Sequence, residues 1–207
     1  GDCSTYSFYA TKAMTCGDGG AIATRDPELA KRLRALRNHG VTKTAAQRYN
    51  QGKFVHWDML AWGYKAVLSD VNASLLIPQI PLLEEHSEQR AERVARYEEL
   101  LASNPSITRT KHKGASAHHL FTVQVDTPLR DRVLDRLLEH KIGCTVNYPS
   151  LPSLHYYREL GYNPEDYPNA KRFGEAVLSL PLWPALPMED VDYVCEILEQ
   201  IMTEFDS

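Results

Sequence analysis

The hydrophobic pattern changes period several times along the chain. Ser4-Thr-Tyr-Ser-Phe-Tyr9 alternates, with Tyr6 and Phe8 on one face, and predicts a short strand. Gly17-Asp-Gly-Gly20 is a turn signal, and Ala21–Thr24 predicts a second strand, so the start reads as a hairpin. Asp26-Pro27-Glu28 then opens a helix: Asp caps, Pro suits the first helical position, and Glu faces the positive end of the dipole. Leu29, Leu33 and Leu36 form its apolar stripe, and Gly40 ends it. Residues 41–56 are polar and irregular, and Gln47 to Lys53 reads as a mobile loop.

Apolar and aromatic side chains return from Trp57 to Tyr64. Ser69-Asp70 starts a helix running through Ala73, Leu75, Leu76 and Ile77, which Pro78 should break. A long helix is predicted over roughly 82–103, with Ala91, Val94, Tyr97 and Leu101 on one stripe. Phe121, Val123 and Val125 alternate as a half-buried strand. Thr127-Pro128 caps a helix with Leu129, Val133, Leu134, Leu137 and Leu138 on its stripe. Ile142–Tyr148 reads as a strand and Asn169–Leu178 as a helix. Pro181, Pro184 and Pro187 stiffen an extended segment, and a last helix carries Val191, Val194, Ile197, Leu198, Ile201 and Phe205. The second half therefore reads as a compact α+β unit, with the best boundary in the long helix, near residues 85 to 105. The first 85 residues hold too few elements for a covered sheet of their own and read as the end of a larger domain.

Composition narrows the function classes. The 207 residues carry 43% hydrophobic and 24% charged side chains and a formal net charge of −4, as in ordinary globular proteins. No basic excess points to nucleic acid or to an anionic membrane surface. No run of ~20 apolar residues offers a membrane span. The first residues resemble no secretory signal, so the expected location is the cytoplasm. Cys3, Cys16, Cys144 and Cys195 form no C-x-x-C pair and read as reduced thiols; the eight histidines show no metal-ligand spacing. His118 and His119 read as residues leading into the Phe121 strand.

Lys12 is the first candidate for chemistry. It lies between an aromatic strand and a glycine turn. A lysine amine held neutral among apolar side chains attacks carbonyls, and a hydroxyl such as that of Ser7 can bond a phosphate. The glycines form neither a Walker pattern nor G-x-G-x-x-G and fit a tight turn.

Ser7-Phe-Tyr-Ala-Thr-Lys12, followed by Thr15-Cys-Gly-Asp-Gly-Gly20, resembles the cofactor-lysine motif of the DegT/DnrJ/EryC1/StrS family of pyridoxal-phosphate-dependent sugar aminotransferases. The resemblance continues through Leu36-Arg-Asn-His-Gly40, Gly63-Tyr-Lys65, Ser69-Asp-Val-Asn-Ala73, Val146-Asn-Tyr148, Tyr156-Tyr-Arg-Glu159 and Leu178-Ser-Leu-Pro-Leu182. It spans essentially the whole chain, but only the later part of the family's usual length.

The resemblance implies an α/β fold: the end of a fold type I aminotransferase large domain over 1–85, then a linking helix and small C-terminal α+β domain over 86–207. It implies pyridoxal 5'-phosphate bound as an aldimine on Lys12, with Ser7 on the phosphate. Lysine rather than histidine at position 12 favours amino transfer over the family's dehydratase chemistry. Glutamate would donate the amine and a nucleotide-linked keto-sugar would accept it, in ping-pong order. Tyr148, His155 and Arg158 lie where the family approaches substrate. A homodimer is implied, or a separate N-terminal half that completes the enzyme; a non-catalytic binding module of the same fold is the alternative. Neither metal, nucleic acid nor membrane enters this reading.

Overall fold

The computed structural model describes residues 1–43, 49–50, 53–110 and 114–206. The chain divides into two compact units, Gly1–Leu83 and Glu84–Ser207.

In the first unit, β1 (Ser4–Ser7) pairs antiparallel with β2 (Gly20–Ala23), in the register Ser4 with Ala23 and Ser7 with Gly20. The strand stops at Ser7 rather than Tyr9, because Phe8 already turns into the loop. Helix α1 (Pro27–Leu36) begins as its sequence dictates: Asp26 Oδ1 accepts from the Glu28 and Leu29 amides at 2.9 and 3.1 Å, a cap worth ~1 kcal/mol. Tyr49–Asn50 (β3) and Lys53–Phe54 (β4) make a minimal antiparallel pair within the expected loop, whose Gln47, Arg48, Gln51 and Gly52 lie outside the described residues. Helix α2 (Asp70–Ser74), capped by Ser69, is shorter than predicted. A 3₁₀ turn over Ile77–Leu82 follows, with Pro78 at its start, where a missing N–H costs nothing. Only Cys16, Val41 and Leu76 among the unit's described apolar side chains are buried, while Trp62 is 85% exposed and Val71 75%.

The second unit has a proper core. Helix α3 (Leu83–Leu100) continues into a 3₁₀ turn, Leu101–Ser103. An antiparallel sheet in the order β5 (Thr108–Arg109), β6 (Phe121–Gln124), β7 (Val177–Leu180) packs with α3, α4 (Arg130–Glu139) and α7 (Met188–Asp206). Phe121, Val123, Leu178 and Leu180 join Tyr97, Leu101, Val133, Leu137, Leu198 and Ile201 in one cluster. Each fully buried aliphatic or aromatic side chain contributes about 1.5–3 kcal/mol. Tyr97 stacks on Phe121 with centroids 4.7 Å apart, and its hydroxyl donates to the Pro181 carbonyl at 2.9 Å. Helices α5 (His155–Glu159) and α6 (Pro168–Ala176) complete the unit.

Four local expectations change. Ile142–Tyr148 is not a strand; it touches the sheet through one bridge, Thr145 with Ser179, after Lys141 takes a left-handed turn. The helix expected over Asn169–Leu178 ends at Ala176, and Val177–Leu180 becomes the fully buried β7. Thr127-Pro128 forms a turn, and no side chain caps α4, which starts after Leu129; Leu138 on its predicted stripe is exposed. The α3 stripe buries Arg90 with Val94 and Tyr97, while Ala91 is only half-buried.

Candidate functional site

The loop from Phe8 to Gly19 bridges β1 and β2 and carries Lys12. It is closed at its neck by the Phe8 amide donating to the Gly19 carbonyl at 2.9 Å and the Cys16 amide donating to the Phe8 carbonyl at 3.1 Å. Lys12 ends a tight turn in which its amide donates to the Tyr9 carbonyl at 2.9 Å. Two of the glycines are required. A Cβ on Gly20 would stand 2.7 Å from the Tyr6 carbonyl oxygen, and one on Gly19, at φ +145°, would stand 2.8 Å from Leu68 Cδ1.

The far side of the loop is held by a residue the pattern did not single out. Gln79 Oε1 accepts from the Thr15 amide at 3.0 Å, and its Nε2 donates to the Thr15 carbonyl at 2.7 Å. Thr15 Oγ1 in turn donates to the Phe8 carbonyl at 3.1 Å and accepts from the Gly17 amide at 3.0 Å. The available signal was a lone polar side chain in Ile77-Pro-Gln-Ile-Pro81, otherwise apolar.

Lys12 is half-buried, and no carboxylate lies within ion-pair distance of it among the described residues. Tyr6 and Tyr9 do not enclose it fully, since each is 54% exposed. Ser7 is exposed at the end of β1, and its Oγ accepts only a long 3.4 Å bond from the Tyr9 amide. An amine without an anion partner and a hydroxyl with spare hydrogen-bonding capacity thus share one loop and its adjoining strand end. This pair fits a ligand carrying an aldehyde and a phosphate.

Tyr148, His155 and Arg158 all lie in the second unit. Tyr148 is exposed after the Thr145 bridge. The following Pro149–Ser150 backbone rests on Gly174 of α6, where a Cβ would come within 2.5 Å of the Ser150 amide nitrogen. His155 and Arg158 are exposed on α5, and His155 Nε2 lies 3.1 Å from Glu159 Oε1. His118, at a positive φ, precedes β6 and takes its amide bond to Ser116 Oγ. No group of three His, Cys, Asp or Glu side chains suited to a metal ion occurs among the described residues. No described helix is long and apolar enough to cross a membrane.

A family model for the DegT/DnrJ/EryC1/StrS aminotransferases matches residues 1–199. The chain belongs to this family. It is 35% identical over its whole length to the spore coat polysaccharide biosynthesis protein SpsC of Bacillus subtilis, of which it covers 55%. Among solved structures it is similar to the PMP form of the putative sugar aminotransferase Spr1654 from Streptococcus pneumoniae, with 29% identity and a TM-score of 0.89 over 98% of this chain and 53% of that one. A PLP form of Spr1654 superposes with a TM-score of 0.87 at 28% identity, over 98% of this chain and 52% of that one. DesI, solved in the presence of its TDP-sugar product, gives 28% identity and a TM-score of 0.82 over 96% of this chain and 49% of its own. The chain thus spans about half the length of the relatives it matches, and its mixed α/β architecture is theirs over that half.

Proposed function

We propose that this chain is the later part of a pyridoxal-phosphate-dependent sugar aminotransferase, with residues 1–85 ending the large domain and 86–207 forming the linking helix and small domain. The observation that carries the reading is the braced loop that carries Lys12 and begins just after Ser7 at the end of β1. Lys12 holds the cofactor through its amine and moves the proton at the substrate carbon; Ser7 Oγ donates to the phosphate. The cofactor, when bound, would supply an electron sink for the substrate carbon. Thr15 and Gln79 keep the Lys12 turn in place, which limits the reorganisation needed at each proton transfer.

Glutamate is the amino donor and a nucleotide-linked keto-sugar the acceptor, in keeping with the TDP-sugar product in whose presence DesI was solved. Tyr148, His155 and Arg158 contact substrate, with the Arg158 guanidinium forking onto phosphate oxygens. The working form is a cytoplasmic homodimer. A second reading, in which a separate N-terminal chain completes the enzyme, is favoured by the exposed apolar side chains of the first unit, Trp62, Val71 and Ile77 among them.

Visible absorbance on adding pyridoxal phosphate tests the proposal. The chain should develop a bound-cofactor band that glutamate bleaches. Lys12→Ala should abolish that band, and Ser7→Ala should weaken cofactor binding about tenfold, the loss of one charge-assisted bond. A band that survives Lys12→Ala would overturn the assignment.

A further inference from the structure

The antiparallel sheet of the second unit has two unlike faces. Phe121 and Val123 of β6 and Leu178 and Leu180 of β7 belong to the core. Strand alternation puts Thr122 and its partner Ser179 on the opposite face. Thr122 Oγ1 there donates to Thr110 Oγ1 at 2.9 Å. On the far side of β7 the same face reaches the segment that leads to Tyr148. The Ser179 amide donates to the Thr145 carbonyl at 2.8 Å, and the Thr145 amide to the Ser179 carbonyl at 3.4 Å, so these two residues stand directly opposite each other. Asn147 follows two positions after Thr145, where alternation returns to the same face.

Ser179 Oγ and Asn147 Oδ1 are buried and have no hydrogen-bond partner among the described residues. Ser179 is only 4% exposed and lies between the core residues Leu178 and Leu180. A hydroxyl buried there without a bond costs free energy that an alanine would not. The two atoms are complementary, since a hydroxyl donates and an amide oxygen accepts. Residues diagonal across a strand pair stand ~7–8 Å apart, and their side chains shorten the gap between the oxygens. Two hydrogen bonds of ~2.8 Å in series, through one water, span ~5.6 Å and match that gap. Thr145, exposed at the rim of the same face, offers its hydroxyl as a third partner, and about three partners is usual for a buried water.

We propose that Ser179 and Asn147 hold one buried water molecule, which accepts from the Ser179 hydroxyl and donates to Asn147 Oδ1. Its place in the fold gives it a task. Among the described residues, no backbone hydrogen bond is made by residues 146–149. The water ties this stretch to β7 just before Tyr148. Just after Tyr148, the Pro149–Ser150 backbone packs on Gly174, and Ser150 Oγ bonds Ser153 Oγ at 2.5 Å. Tyr148 is thereby held from both sides. The inference concerns the path of the chain and depends neither on what Tyr148 touches nor on Lys12.

Urea unfolding of the full chain, followed by a second-unit probe, tests it as a double-mutant cycle. Ser179→Ala and Asn147→Ala should each lower the midpoint. The double variant should fall no further than the worse single variant, because the shared bridge is lost only once. Amide exchange over residues 145–150 should speed up at least about fivefold in each single variant, while β6 and α7 keep their protection. A high-resolution crystal structure of the parent should show one water within about 3.2 Å of both oxygens. A midpoint that rises or stays unchanged in Ser179→Ala would overturn the proposal, since removing a dry hydroxyl relieves a cost. So would additive losses in the double variant, which mean two separate partners. Electron density that joins either oxygen directly to another protein group, or shows no water between them, would overturn it as well.

Discussion

Gln79 and Thr15 are joined by two hydrogen bonds across 64 residues, one in each direction between the Gln79 amide group and the Thr15 backbone. Gln79 Nε2 also donates to Leu75 O at 2.6 Å, which fixes the side chain to its own turn. The Lys12 loop is thus tied to a proline-bounded 3₁₀ turn rather than only to its own hairpin. Gln79→Ala strips the side-chain partners from both the N–H and the C=O of part-buried Thr15, at about 1–3 kcal/mol per unsatisfied group. Hydrogen exchange should speed up across residues 8–20 while the second unit keeps its protection. Equal exchange in the variant and the parent would refute the brace.

Tyr97 joins stacking to a buried hydrogen bond. Tyr97→Phe keeps the ring against Phe121 and leaves the Pro181 carbonyl without its donor, so a loss of about 1–3 kcal/mol is expected. Tyr97→Ala adds a cavity and should cost about 3–5 kcal/mol. Urea unfolding followed by a second-unit probe orders the two variants.

The Arg96–Asp192 fork predicts an acid dependence. Arg96 Nε lies 2.7 Å from Asp192 Oδ1 and Nη2 lies 3.1 Å from Oδ2, and the guanidinium bond holds the Asp192 carboxyl below its ordinary value. A carboxyl lowered in the folded state contributes stability above its unfolded value that is lost as pH falls through the folded one. Asp192→Asn should therefore lower the urea midpoint at neutral pH and flatten its decline below pH ~4. A parallel decline in both proteins would contradict the pairing.

The cysteines predict the opposite limb. Burial pushes the Cys144 and Cys195 thiols up to about 12 from an ordinary 9.0. A thiol raised in the folded state contributes stability that is present below its ordinary value and lost as pH rises towards the folded one. The second unit should lose stability between pH 9 and 12. At neutral pH a thiol reagent should modify exposed Cys3 at once, half-buried Cys144 more slowly, and buried Cys195 only on unfolding.

Local signals were readable where cap, period and stop agreed. Asp26, Pro27 and the Leu29–Leu33–Leu36 stripe fix α1, and the stripe from Val191 to Phe205 fixes α7. Val177–Leu180 was not separable from α6, because a short fully buried run has no period and no turn residue precedes it. The two-residue β5 is set by its partner β6 rather than by its own side chains. Ser7 and Lys12 were visible through motif resemblance. Gln79 was not, because its partner is distant in sequence.

We propose that Lys12 carries the cofactor. The most direct measurement is intact mass and peptide mapping of the purified protein after incubation with pyridoxal phosphate and borohydride reduction, which fixes the carbon–nitrogen bond to the lysine. One pyridoxyl group on the peptide containing Lys12, and none in Lys12→Ala, is the predicted result. No adduct on the chain, or an adduct spread over Lys31, Lys65 and other surface lysines, would contradict it.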